Sequence, residues 1–480
     1  MNDMRNALKA VGAVLAVIAL CAPLMFLPSE DTQPAALGYA GVTVTVPPTV
    51  VVATTIPGLE TTTTTTEKPP VLPLESTSST TTTTTTGPTD IIIAAVGDLL
   101  VPARILDSVR DPHSNSYDFG PVFAPIASYL SKADYAIAAL EPRLAGPEVG
   151  YASESAPNAP RELAFALKKA GIDLVGTANQ HSLDLGWDGI LGTLDRLDAA
   201  GLAHVGTSRT SIERNTPFIA DIKGIRVAFL DYTDSVAGSL PADQKKDFAV
   251  SMLDLATVTR DAMTARSYGA DAVVAMLDYG TEYQQDPNVQ QKTLSESILN
   301  HGVDVIVGCH ARVVQTIAHI FTNATSASWR ANGKYVAYSL GDFLSAQPAE
   351  ATATAPVADT GMIAYLHFQK RGLRTYVTGV SYLPIYVQEA TTDASLTDDT
   401  STTETLTAAG TSTTATTAVG KKIVTTFRIL PVLPGLDPKT DVPLTSDDSL
   451  RMAEIWNRVR SLLYRPDENI SPLSPSQLGL

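Results

Sequence analysis

The chain has 480 residues, 44% of them hydrophobic, which is enough apolar material for one large domain or two ordinary ones with tails. Its formal net charge is -16, from 34 Lys and Arg residues against 50 Asp and Glu residues, and no basic cluster occurs in the sequence. Nucleic acids and acidic lipid surfaces attract patches of Lys and Arg, so this composition argues against both as partners.

A membrane anchor is predicted at residues 1–29. Arg5 and Lys9 precede an uncharged run over 10–27, which at about 1.5 Å per helical residue nearly crosses a bilayer core of about 30 Å. No Lys or Arg follows until Lys68, so the positive-inside rule places the body of the protein outside the cytoplasm. We expect a single-pass protein of the cell membrane, with a cleaved signal and secretion as the alternative.

Two Thr-rich tracts divide the rest of the chain. Residues 30–89 are rich in Thr and Pro and are predicted to form a disordered linker, because they bury too little apolar surface to offset chain entropy. Residues 389–420 are predicted to be a disordered insertion, and the strand-like runs that flank them should lie near each other. Residues 421–480 are expected to complete the domain with a strand and a helix over 449–465.

Residues 90–388 alternate short apolar runs with amphipathic helical segments. Continuous apolarity, rather than strict alternation, is typical of strands that helices cover. The pattern therefore predicts an α/β sandwich. The runs are IIIAAV, YAIAAL, IDLVGT, RVAFL, DAVVAML, VDVIVG and YVAYSL.

Polar side chains follow most of these strands. The carboxyl ends of strands in an α/β sheet lie along one edge, where ligands bind, so we expect these side chains to converge. Their carboxylate, amide and imidazole groups suit Zn, Mn or Fe, and two such ions could stabilise both ends of a phosphoryl displacement. The alternative for single residues is a turn or a strand-end charge. The residues are Asp98, Glu141, Asn179, His181, Asp278, Glu282, His310 and Asp342.

The segment ANQHSLDLG carries the best candidates for chemistry. Asn179 and His181 are predicted to bind a metal ion or to act in catalysis, with local hydrogen bonding of the loop as the alternative. Asp184 is expected to orient His181. His310 is predicted to be a metal ligand or a proton donor, but Arg312 lies two positions later and carries a fixed positive charge that would repel a cation.

Several catalytic motifs are missing from the sequence. It has no G-x-S-x-G elbow, no H-E-x-x-H, no P-loop and no Rossmann glycine fingerprint. These absences argue against a serine hydrolase and against a nucleotide as a partner.

The order of the strand-end blocks resembles the bacterial capsule-synthesis CapA family over about residues 91–387. The matching blocks are GDLL, ALEPRLAG, ANQHSLDLGWDG, LDYGTEYQQDPNVQQ, GCHARVVQ and YSLGDF. The resemblance implies a metallophosphatase-like, or calcineurin-like, α/β sandwich. It also implies an association with the export or anchoring of poly-γ-glutamate.

Several positions depart from the family's pattern. Asp278 stands where the family has His, and Cys309, Ala311 and Arg312 replace a His, a Pro and a second His, while Asp342 replaces an Asn. Arginine cannot serve as a ligand because it does not deprotonate, so one ion or none is expected rather than two. The alternative is a metal-free pocket with Arg312 at its mouth, where it faces the carboxylates and binds glutamyl carboxylates or a glycan phosphate.

These inferences define the expected site and function. We expect an anchored extracytoplasmic protein that acts in the synthesis, export or attachment of an anionic envelope polymer, with the polymer or its synthesis machinery as partner. The alternatives are a metal-free scaffold of the envelope and a wall-associated phosphoesterase that uses a divalent metal ion. The predicted roles are metal binding by Asp98, Glu141, Asn179, Asp278 and His310, catalysis by His181, His310 and Asp184, and substrate binding by Arg312, Glu282, Tyr283 and Asp342.

Overall fold

The structure is a computed structural model that describes residues 87–151, 156–240, 246–320, 333–346, 359–394, 422–435 and 444–474. The predicted anchor at 1–29 and nearly all of the predicted linker at 30–89 lie outside these ranges. Within them, no helix is both long and apolar enough to cross a membrane.

Strands and helices alternate through most of the described chain. The strands are β1 (Thr89–Leu99), β2 (Tyr135–Leu140), β3 (Leu174–Gly176), β4 (Ala203–Val205), β5 (Phe218–Ile222), β6 (Ile225–Thr233), β7 (Ala272–Asp278), β8 (Val305–Cys309), β9 (Ile317–Ile320), β10 (Lys334–Ala337), β11 (Asp342–Leu344), β12 (Thr360–Arg371), β13 (Arg374–Ala394), β14 (Lys422–Pro431) and β15 (Ile470–Pro472). The helices are α1 (Ala103–Val109), α2 (Gly120–Leu130), α3 (Glu162–Ala170), α4 (Gly186–Ala200), α5 (Ser211–Asn215), α6 (Leu255–Ser267), α7 (Val289–Asn300) and α8 (Ser446–Leu463).

The strands form two sheets in the described part of the chain. The larger sheet has the order β14-β13-β12-β1-β2-β3-β4, with β11 beside β1 and β15 beside β13. Strands β1 to β4 run parallel, whereas β12, β13 and β14 are antiparallel neighbours. The smaller sheet has the order β5-β6-β7-β8-β10-β9, with antiparallel strands at its two edges. The parallel strands thus form one side of the larger sheet, which ends at β4, and the centre of the smaller sheet.

The two sheets pack face to face, and helices cover their outer faces. Ile91 and Ile93 of β1 share a core with Val274 of β7 and Val307 of β8, so this core fills the space between the sheets. Alternate residues of β1, such as Val96, face a second core formed with helices α1 to α4. Helices α6 and α7 cover the smaller sheet. Burying each large aliphatic side chain contributes about 1.5–3 kcal/mol, so this layering accounts for much of the fold's stability.

The predicted elements are present with one shifted boundary. All seven apolar runs form strands, and the predicted helix over 449–465 lies within or next to α8. The segments that flank the second Thr-rich tract pair as antiparallel strands. Strand β13 continues to Ala394, past the predicted boundary at 389, because Thr391 and Thr392 are β-branched and pair with β14. Residues 395–421 lie outside the described ranges.

Two glycines allow the strand ends to approach one another. A side chain at Gly97 would overlap the carbonyl of Gly341, and one at Gly308 would overlap the carbonyl of Tyr338. Only glycine leaves room for such close backbone contact. The residues that follow them, Asp98 and Cys309, are therefore held at one edge shared by the two sheets.

Candidate functional site

Acidic residues from both sheets meet at the carboxyl ends of the parallel strands. In the larger sheet, Asp98 of β1 pairs in register with Asp342 of β11. In the smaller sheet, Asp278 of β7 pairs with Cys309 of β8. The three aspartates are at most 4% exposed. The convergence predicted from the strand ends is therefore present, and it gathers these carboxyl groups away from solvent.

The turn after β8 joins the two sheets. The backbone N–H of His310 donates to Oδ2 of Asp98 at 2.8 Å, a contact between residues far apart in the chain. His310 and Arg312 both have positive φ angles, 81° and 62°, which side-chain-bearing residues adopt at a cost. Tyr283 holds the turn from outside, since its N–H donates to the carbonyl of Ala311 at 2.8 Å. Such strained turns cluster at functional sites, where surrounding contacts maintain them.

Arg312 lies inside the carboxylate cluster. Its Nη2 donates to Oε2 of Glu141 at 3.0 Å, its Nε donates to Oε1 of Glu282 at 3.3 Å, and its Nη1 is 4.0 Å from Oδ1 of Asp342. The residue is only 3% exposed. The expectation that Arg312 faces the carboxylates is confirmed, but the side chain is buried rather than at the mouth of the pocket, because the turn after β8 carries it inward.

His181 and Asp184 form a hydrogen-bonded pair beside this cluster. Nδ1 of His181 is 2.6 Å from Oδ2 of Asp184, and its Nε2 is 3.9 Å from Oε2 of Glu141. The Asp184 carboxylate therefore fixes the ring so that Nε2 faces the site. The His181 side chain is 15% exposed, so it lies where the cluster meets solvent.

Asn179 orders the loop that carries this pair. Its Oδ1 accepts the backbone N–H of His181 at 3.0 Å, and its Nδ2 donates to the carbonyl of Leu140 at 2.8 Å. These contacts match the predicted alternative of local hydrogen bonding of the loop, and a direct role of Asn179 stays a prediction. Asn179 therefore positions His181.

Glu282, Tyr283 and Gln180 form the rim of the site. Glu282 is the most exposed of Arg312's partners, with 40% of its side chain open to solvent, and Nε2 of Gln180 donates to its Oε1 at 3.4 Å. Tyr283 is half-buried. The site thus opens to solvent past the Glu282 carboxylate.

Burial favours the neutral forms of several site groups. Desolvation, with repulsion from Glu141, raises the pKa of Asp98 to about 7. Desolvation also raises the pKa of Asp278 and Asp342 well above the usual range of a carboxyl group. For His310, desolvation and then the nearby Arg312 charge lower the pKa. The cluster thus holds fewer negative charges than its composition indicates.

Two supporting residues were not among those predicted from the sequence. Arg143 is fully buried and donates to the carbonyls of Thr177 and Glu141 at 3.2 and 3.0 Å, which ties the end of β2 to the end of β3. The hydroxyl of Thr233 donates to Oδ1 of Asp278 at 2.8 Å. Both follow apolar runs, in EPR and LDYTD, so the strand-end rule could have found them.

The residues present do not fit the metal centre that the resemblance implies. Oε1 of Glu141, Oδ2 of Asp278 and Nδ1 of His310 are buried without hydrogen-bond partners in the described structure. Even so, no group of three or more His, Cys, Asp or Glu side chains among the described residues is arranged to hold an ion. Arg312 also places a fixed positive charge beside Glu141 and Asp342. A guanidinium in this position repels a divalent ion, and it already pairs with the Glu141 carboxylate.

The geometry defines a class of protein: a mixed α/β protein with a buried polar site where the strand ends of two sheets meet. The model of the family described as bacterial capsule synthesis protein PGA_cap matches residues 92–347, just over half of the chain. The chain belongs to this bacterial capsule synthesis family.

Two curated relatives agree with this assignment. The capsule biosynthesis protein CapA of Bacillus anthracis is 27% identical over 232 residues, which are 47% of this chain and 55% of that protein. The PGA biosynthesis protein CapA of Bacillus subtilis (strain 168) is 28% identical over 232 residues, which are 48% of this chain and 55% of that protein. The chain thus spans about half the length of the curated relatives it matches.

Solved structures show a weaker likeness. The calcineurin-like phosphoesterase YfkN from Bacillus subtilis has 14% identity and a TM-score of 0.37, covering 62% of this chain and 91% of that chain. A 5'-nucleotidase precursor from Thermus thermophilus has 11% identity and a TM-score of 0.37, covering 61% of this chain and 54% of that chain. At these TM-scores the likeness does not establish a shared fold.

Proposed function

We propose that this protein acts in the synthesis, export or attachment of an anionic envelope polymer, with poly-γ-glutamate as the polymer, and that its site binds the polymer without a metal ion. The observation that carries this proposal is the buried contact between Arg312 and Glu141. A guanidinium binds carboxylates through directed N–H donors, so it can hold a polycarboxylate without metal chemistry.

The same proposal includes a metallophosphatase-like fold in which the metal site has been replaced. Two sheets face each other with helices outside, and the polar site lies at the strand ends. This arrangement supports the proposal because ligands of α/β sheets bind at the carboxyl ends of the strands. A shared fold does not fix function. The arginine at position 312, where the family has a histidine, distinguishes this chain from a metal-dependent hydrolase.

We also propose that the domain lies outside the cytoplasm, anchored to the cell membrane through residues 1–29. The uncharged run over 10–27 and the Thr-rich residues that follow it support this location. Protease treatment of intact cells tests it. External protease is expected to degrade the domain while a cytoplasmic protein survives, and protection of the domain until lysis would contradict the location.

Gene replacement tests the polymer function. Deleting the domain is expected to abolish cell-surface polymer. Arg312→Lys keeps a cation beside Glu141 but lacks the directed N–H donors of a guanidinium, so it is expected to reduce the polymer strongly while protein abundance on immunoblots stays unchanged. His181→Ala serves as the matched site variant and is expected to retain polymer. Normal polymer on cells that lack the domain would contradict the function.

A second candidate function is acid–base catalysis on a phosphoester or an amide bond of the envelope. The 2.6 Å contact between His181 and Asp184 favours it, because a carboxylate that orients an imidazole is a common device for proton transfer. Loss of polymer from the His181→Ala strain, with normal protein abundance, would favour catalysis over binding alone.

A further inference from the structure

Arg312 has two carboxylate partners that differ sharply in exposure. The side chain of Glu141 is 1% exposed and lies 3.0 Å from Nη2, whereas that of Glu282 is 40% exposed and lies 3.3 Å from Nε. Water competes for the exposed carboxylate of Glu282 but not for the buried one of Glu141, so the pair with Glu282 is the weaker of the two. Glu141 is therefore the fixed partner and Glu282 the exchangeable one.

The local contacts of Glu282 leave its carboxylate weakly held. Besides Arg312, Gln180 donates to the same oxygen, at 3.4 Å. Both distances exceed the usual range for such hydrogen bonds. The backbone beside it is held firmly, since the N–H of Tyr283 donates to Ala311 at 2.8 Å. The side chain can thus leave Arg312 while the loop stays in place.

We propose that Glu282 is an internal stand-in for a carboxylate of the ligand, and that the ligand binds by displacing Glu282 from Nε of Arg312. This inference rests on the proposed function and adds to it the residue that competes with the polymer's carboxylates for Arg312. The Glu282 side chain ends in a carboxylate, and a glutamyl polymer carries carboxylates along its chain. The incoming carboxylate receives the charge-assisted hydrogen bond that Glu282 gives up.

Displacement sets the sign of the expected effect. Glu282 competes with the ligand for Nε of Arg312, so removing the charge of Glu282 should strengthen ligand binding. Removing a residue that contacts the ligand favourably should instead weaken ligand binding. Glu282→Gln keeps the size of the side chain and removes its charge. Asp286→Asn removes the same charge from an exposed residue of the same loop and so controls for the general electrostatic effect.

Calorimetric titration of the full-length protein with a γ-linked glutamate oligomer tests the inference at physiological ionic strength, where charges more than about 8 Å apart are screened. Glu282→Gln is expected to lower Kd by about tenfold relative to Asp286→Asn, a change equivalent to about 1.4 kcal/mol. Adding Arg312→Lys to Glu282→Gln is expected to remove the gain, because lysine keeps the charge but lacks Nε in this geometry.

The outcomes separate this inference from the proposed function. If the oligomer binds and Glu282→Gln matches Asp286→Asn or binds more weakly, the displacement is overturned while polymer binding stands. If Glu282→Gln binds glutarate through Arg312, but neither this variant nor the unsubstituted protein binds the γ-linked glutamate oligomer, the displacement of Glu282 by a carboxylate is supported. The same result contradicts the proposed polymer function. Failure of Glu282→Gln to bind either probe overturns the inference.

Discussion

Nη2 of Arg312 lies 3.0 Å from Oε2 of Glu141, and both side chains are almost completely buried. The same glutamate oxygen is 3.9 Å from Nε2 of His181. Glu141 therefore joins the turn after β8 to the loop after β3. A buried pair of this kind is costly to break, because the remaining partner keeps an uncompensated charge.

Removing Arg312 alone should destabilise the protein strongly. Arg312→Met is expected to lower the free energy of unfolding by about 3–5 kcal/mol, because it leaves Glu141 buried without its cation. Urea denaturation at neutral pH measures this change. Adding Glu141→Gln should recover part of the loss, since the charge left behind is removed. A double variant as unstable as the sum of the two single variants would contradict the pairing.

The stability contributed by Asp98 should depend on pH. Its pKa in the folded protein is about 7, above the value of about 3.9 in an unfolded chain. The folded state therefore binds this proton more tightly, so the stabilisation is complete below about pH 4 and is lost as the pH rises through about 7.

Urea denaturation across that window tests the pH dependence. The free energy of unfolding of the unsubstituted protein, minus that of Asp98→Asn, is expected to fall as the pH rises. The same series with Asp286→Asn, an exposed carboxylate, controls for general charge effects. A difference that rises with pH would contradict the raised pKa.

Gly308 should not tolerate a side chain. A Cβ there would overlap the Tyr338 carbonyl, so Gly308→Ala is expected to cost about 3 kcal/mol or more, by forcing β8 away from β10. Gly87→Ala is the matched control, because no atom lies within 4 Å of the added carbon. Thermal unfolding of the two variants compares them directly. Equal stability would mean that the strand ends do not approach as closely as described.

The sequence predicted the strands and the convergence of their polar ends, because both follow from local patterns. Apolar runs identify buried strands, and parallel strands place Asp98, Asp278 and His310 at one edge whatever the details of the loops. The antiparallel extension through β12 escaped prediction in part. One of its two neighbours, β1, is distant in sequence, and local periodicity does not reveal such pairing.

The direction of the Arg312 side chain could not be predicted. It depends on positive φ angles at His310 and at Arg312 itself, which few residues other than glycine adopt. The role of Asn179 was open for a similar reason, since its amide could serve a ligand or the loop. The contact with the backbone of His181 shows the role in the loop, which no local sequence pattern could reveal.

Elemental analysis of the full-length protein, purified from cells grown with added Mn, Zn and Fe, tests the central claim that Arg312 takes the place of a metal ion. We expect the unsubstituted protein to retain far fewer than one ion per chain. Arg312→His, which exchanges the fixed cation for an imidazole, is expected to retain more. One or two ions per chain in the unsubstituted protein, lost in Asp98→Asn, would contradict this claim.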